Sequence, residues 1–146
     1  MARPSELLVA ALRATAARLE AGAPYRWSHF GACNCGHLAQ TLTRLSPRQI
    51  YDAAFARPGD WGEQGREFCA ETGAPMDDIL STMMDAGLAP GDFSHLERLD
   101  DPGVERAIGR RLVWTERADV VLYLRTWAGL LEAHLGEQAR GRTQAA

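Results

Sequence analysis

The chain predicts an all-α fold, a single-domain irregular helical bundle closed by long first and last helices. Three observations carry that expectation. Alanine is abundant while Val and Ile together number only eight, a balance that favours helix over sheet. Leucines recur at three- and four-residue intervals near both ends of the chain, the spacing of one helical face. No stretch alternates apolar and polar residues as a half-buried strand would.

The elements follow in order. Ser5 to about Ala21 reads as the first helix, with Leu8, Leu12, Thr15 and Leu19 on one stripe and Gly22 and Pro24 ending it. Gly36 to about Leu45 carries Leu38, Leu42 and Leu45 on one side. Ser46-Pro47-Arg48-Gln49 has the form of a capping box with Pro in the first turn, opening a helix to about Ala56. Arg57-Pro58-Gly59-Asp60 is a loop, and Trp61 to about Thr72 is a helix weakened by Gly62 and Gly65. Pro75 opens a helix bearing Ile79, Leu80, Met83 and Met84, which ends at Gly87. Short helices are expected over Asp92–Leu99 and, capped by Asp101-Pro102, over Gly103–Arg111. The last, Ala118 to about Leu135, sets Val120, Val121, Leu124, Trp127, Leu131 and Leu135 along one stripe. Residues 1–138 therefore read as one helical domain and 139–146 as a frayed tail.

Composition narrows the function. The 146 residues are 46% hydrophobic and 24% charged, as in an ordinary globular domain. All sixteen basic residues are Arg, which excludes Schiff-base and P-loop lysine chemistry. A net charge of −3 argues against nucleic acid as a partner. Charge is uneven: residues 67–105 carry one Arg against ten acids, a face that a basic partner would fit, although solvated helix faces account for it more simply. No apolar run is long enough to span a membrane, and charges interrupt the N-terminal segment, so a cytoplasmic protein without a membrane partner is expected. Three cysteines make a poor disulfide framework.

One stretch is chemically dense. Tyr25-Arg26-Trp27-Ser28-His29-Phe30-Gly31-Ala32-Cys33-Asn34-Cys35-Gly36-His37 holds two of the three Cys and two of the four His. Thiolate and imidazole are the donors that soft and borderline metals prefer. Gly31 and Gly36 bracket the Cys-Asn-Cys segment, and a helix starting behind it would turn its positive end toward the sulfurs. The expected metal ligands are Cys33, Cys35, His37 and the distant Cys69, with His29 as a competing ligand or a hydrogen-bond donor to a thiolate. Asn34 lies inside the loop, and Tyr25 and Trp27 are placed to screen the centre from water. The spacing is not diagnostic; a glycine-bracketed loop at a helix N-terminus, whose N–H groups can bond cluster sulfurs, favours an iron–sulfur cluster, with zinc as the alternative.

The segments Cys33-Asn34-Cys35-Gly36-His37-Leu38-Ala39-Gln40, Cys69-Ala70-Glu71-Thr72-Gly73-Ala74-Pro75-Met76-Asp77-Asp78, His95-Leu96-Glu97 and Asp119-Val120-Val121-Leu122-Tyr123-Leu124-Arg125-Thr126-Trp127 resemble a family of small uncharacterised bacterial proteins. The resemblance spans residues 25–132 and brings no activity. It implies that the Cys-Asn-Cys-Gly-His loop and the Cys69 segment belong to one site.

Other residues have plainer readings. His95 with Asp100 or Asp101 reads as an exposed helix pair, and His134 as a histidine near a helix C-terminus. Met76, Met83 and Met84 fit a core face, as do Tyr123 and Trp127. Arg125, within the apolar last helix, is expected to pair with Asp119, Glu97 or Asp100. Three functions follow as expectations: electron transfer or redox sensing by a cluster, with a protein redox partner and possible homodimerisation; thiol chemistry at Cys33 or Cys35 with His37 or His29 as base; and an adaptor whose Cys loop is a zinc staple.

Overall fold

The computed structural model describes residues 1–145, and among them every regular element is a helix. In chain order these are α1 (Glu6–Glu20), α2 (Asn34–Thr43), α3 (Pro47–Phe55), α4 (Trp61–Arg66), α5 (Pro75–Ala86), α6 (Pro90–Arg98), α7 (Pro102–Ile108) and α8 (Arg117–Ala145). No helix among the described residues is long and apolar enough to cross a membrane.

The two outer helices close the bundle on each other. The α1 stripe predicted from Leu8, Leu12, Thr15 and Leu19 is fully buried. It meets Val120, Leu124, Trp127 and Leu131 of α8 in the largest helix–helix contact of the fold. Burying such a leucine stabilises by about 1.5–3 kcal/mol, so this seam contributes more than the ion pairs over it. Those pairs are exposed: Arg13 to Glu132 at 2.7 Å, and Arg125 to Glu20. Arg125 thus faces outward and pairs with α1, not with Asp119, Glu97 or Asp100. Asp119 instead takes Arg110 at 2.7 Å, and His95 pairs with Asp100 at 2.7 Å on the surface.

Four boundaries differ from the sequence reading, each for a local reason. α2 begins at Asn34, not Gly36, because the Cys33 sulfur caps it by accepting the Gly36 N–H at 3.4 Å. α4 stops at Arg66, six residues in; its glycines are there for close packing on α6, since a Cβ on Gly62 would lie 2.1 Å from Ser94 Oγ and one on Gly65 2.8 Å from the Phe93 ring. α6 starts at Pro90, and the Asp92 carboxylate behind it accepts the Ala89 N–H at 2.7 Å. α8 runs to Ala145, through the expected tail, because Gly136 and Gly141 cost only about 1 kcal/mol each in an exposed helix.

The remaining helices bring the Cys loop to α6. α2 packs on α1, α3, α5 and α6, and α4 lies along α6. Two capping devices hold the frame: the Ser46–Gln49 box of α3, present as read, and Asp60, which accepts the Glu63 N–H at 2.8 Å to start α4.

Candidate thiol–carboxylate pocket

The loop from Pro24 to Cys33 is built around close backbone contacts. A Cβ on Gly31 would sit 1.9 Å from the Pro47 carbonyl oxygen, and one on Gly36 would sit 2.3 Å from the Phe30 carbonyl oxygen. Both positions therefore admit only glycine, which allows the loop to lie flat on α3 and on its own start. Arg26 N–H to the Ala32 carbonyl (3.0 Å) and Cys33 N–H to the His29 carbonyl (2.8 Å) close the turn.

Asn34 is the clamp of the site. It is 1% exposed. Its side-chain nitrogen donates to the carbonyls of Leu96 (3.2 Å), Glu97 (3.1 Å) and Trp114 (3.2 Å). Its side-chain oxygen lies 2.5 Å from the Tyr25 hydroxyl, which also lies 2.8 Å from the Trp114 carbonyl. Three segments far apart in sequence are thus pinned at one residue. Tyr25 and Asn34, expected beside a cofactor, are structural ties; Trp27 does line the site.

Behind that clamp, two thiols meet a carboxylate. Cys33 Sγ–H donates to Glu97 Oε1 at 3.4 Å, and the Glu97 carboxylate also faces the Cys35 thiol. Cys35 Sγ lies 3.3 Å from the Phe93 carbonyl. Burial pushes both thiols well above the ordinary range, and the charge of Glu97 pushes them further. The Gly36 N–H and the indole of Trp61 act on Cys33 in the opposite sense. Burial also raises Glu97, against the hydrogen bond it accepts from Cys33 and the nearby Cys35 thiol. No ion pair reaches Glu97 among the described residues.

Cys33 and Glu97 open onto a pocket of about 440 Å³, walled by Trp27, Phe30, Trp61 and Trp114. Trp61 is buried and donates its indole N–H to the Phe30 carbonyl at 3.2 Å, while Trp27 and Trp114 are 45% and 44% exposed. The aromatic floor is rigid: Trp61 stacks on Phe93 with ring centres 6.1 Å apart.

The histidines and the third cysteine are elsewhere. His37 is buried, and its Nε2 lies 2.8 Å from the Pro24 carbonyl. A carbonyl only accepts, so Nε2 carries the proton and Nδ1 is left to accept from Arg18 Nη2 at 3.3 Å. Burial, and the charges of Arg18 and Arg117, hold its pKa down at about 4. His29 accepts the Gly31 N–H at Nδ1 (3.1 Å) and stacks on Tyr51. Both imidazoles line a separate pocket with Arg18 and Arg26. Cys69 is exposed in the connection between α4 and α5, beside Thr72 and Asp77. Among the described residues no three His, Cys, Asp or Glu side chains are gathered as a metal-ligand set. The expected quartet of Cys33, Cys35, His37 and Cys69 is not brought together: both His37 nitrogens are engaged at Pro24 and Arg18, and Cys69 lies exposed between α4 and α5.

The sequence reading missed Glu97 as a site residue, and with it Asp60. One signal was available for Glu97: it lies four residues after Phe93, so it shares the buried face of α6. Compared with protein-family models, curated proteins and solved structures, the chain matches none.

Proposed function

We propose that the protein carries out thiol chemistry on a small electrophile held in the aromatic pocket, with Cys33 as nucleophile and Glu97 as its base. The 3.4 Å contact between Cys33 Sγ and Glu97 Oε1 at the pocket wall carries this reading. In the step, the Cys33 S–H bond breaks and its proton passes to the Glu97 carboxylate. The sulfur forms a bond to the electrophilic carbon, and the electron pair displaced from that carbon moves onto its heteroatom. Glu97 then returns the proton to that heteroatom or to a leaving group. Burial suits Glu97 to this task, because a carboxylate with a raised pKa is the stronger base. The developing thiolate is supported by the Gly36 N–H at 3.4 Å and by the positive end of α2. Base and nucleophile are thus a thiol–carboxylate pair, and neither His37 nor His29 takes part. Trp27 and Trp114 flank the reacting atoms.

Alkylation by iodoacetamide tests the reading, in a Cys69→Ser background because Cys69 is exposed. Peptide mass spectrometry should find Cys33 modified before Cys35, with a rate that follows a carboxylate titration in acid. Equal labelling of both thiols, or a Cys33 that reacts only after a chelator is added, would overturn it.

A further inference from the structure

We infer that the pocket beside Cys33 receives a small organic cation of the alkylammonium type. This deepens the thiol reading, on whose pocket it rests, by naming the ligand class.

Three features point the same way. The first is aromatic: four rings, three of them indoles, surround a space of about 440 Å³. The negative face of an indole attracts a cation more strongly than any other side-chain ring does. Trp27 and Trp114 leave nearly half of their surface open, at 45% and 44%. Large rings kept exposed beside a cavity mark a binding surface. Their placement is also fixed. The Trp114 carbonyl is held by Asn34 and by Tyr25. The Trp27 turn is closed by the His29 N–H on the Arg26 carbonyl at 3.0 Å.

The second feature is charge. Two carboxylates, Glu97 and Asp60, line the same space. Neither has an ion-pair partner among the described residues. One Asp60 oxygen caps α4, and the pair is close enough for Asp60 to raise Glu97. The one basic lining residue, Arg98, is exposed and forms no ion pair with either carboxylate.

The third is what other ligands would cost. A neutral ligand that filled the pocket would desolvate Glu97 with nothing to offset its charge. An anion would add repulsion from two carboxylates. A cation answers Glu97 and Asp60 and meets the ring faces at once. An alkylammonium suits better than a bare metal ion, because its methyl groups bury the exposed indole surface while the charge stays diffuse.

Isothermal titration of the full chain with choline tests this against choline's neutral isostere, in which a quaternary carbon replaces the nitrogen. Choline should bind at least about tenfold more tightly than the isostere, the scale of a desolvated cation–π contact. Glu97→Gln, which keeps shape and removes charge, should lose about tenfold, and so should Trp27→Ala at its exposed position. Trp114→Phe should lose less, since a ring remains. Choline binding is read without any thiol reagent, so failure of the thiol chemistry and failure of this inference are told apart. Equal affinity for choline and its isostere, no binding of either, or full affinity in Glu97→Gln would overturn it.

Discussion

Cys33 Sγ and Glu97 Oε1 lie 3.4 Å apart although 64 residues separate them in the chain. Each acts on the titration of the other. The carboxylate raises the thiol's pKa, and the thiol's hydrogen bond lowers that of the carboxylate against its burial. Glu97→Gln breaks this arrangement in two measurable ways. Thiolate formation at Cys33, followed by ultraviolet absorbance, should shift to lower pH because a negative neighbour is gone. The acid limb of the alkylation profile should vanish because no carboxylate titrates beside the sulfur. An unchanged thiolate midpoint would mean that the pair does not communicate.

His37 makes stability depend on pH. Its pKa falls from the ordinary 6.5 to about 4 on folding. The unfolded chain therefore binds the extra proton between those values, and stability falls as pH drops through that window. The stabilisation is complete above the unfolded value, and no further loss follows below about 4. The total effect is about 3 kcal/mol. Urea unfolding at several pH values should show this slope in the wild type and lose it in His37→Gln. A slope that persists in the variant would assign it to another group.

Glycine contacts predict a sharp contrast within one residue type. Gly31→Ala and Gly36→Ala each drive a Cβ into a backbone carbonyl, and each should cost about 3 kcal/mol or more. Gly129→Ala, in the middle of α8 with nothing within 4 Å, should be neutral or stabilise by up to about 1 kcal/mol. Thermal melts of the three variants decide the matter. Comparable melting temperatures for all three would show that the loop can move aside.

Asn34→Ala removes the clamp. Three carbonyls and the Tyr25 hydroxyl lose a common partner, which should cost about 2–3 kcal/mol. Because Glu97 and Trp114 are held through it, Cys33 alkylation should lose its carboxylate dependence as well. A variant that is destabilised but keeps that dependence would limit Asn34 to a folding role.

Much of the fold was legible because the largest contact is also the most periodic. The Leu8, Leu12, Thr15, Leu19 stripe and the Val120 to Leu131 stripe have the helical period, and burial on one face is what that period reports. The α3 capping box was legible because it is local. The α4 glycines misled, since their small size serves the approach to Ser94 and Phe93, which sequence order does not reveal.

The site divides in the same way. Chemical density marked Cys33 and Cys35, and both belong to the pocket region. The aim of His37 is set by Pro24 and Arg18, neighbours in space from outside the motif, so proximity in sequence gave the wrong partner. Glu97 was hidden as one acid among ten in an acidic segment. Only the register of α6, read against Asn34 and the Cys loop, turns it toward the thiols.

The α1–α8 seam also sets an order of events at the ribosome. Leu8, Leu12 and Leu19 find their α8 partners only when Val120 to Leu131 have been made. At about 5–20 residues per second, α1 waits roughly 5–20 s with the α8-facing part of its apolar stripe uncovered. During that interval the nascent chain exposes a leucine surface that chaperones recognise, and slower translation lengthens that exposure.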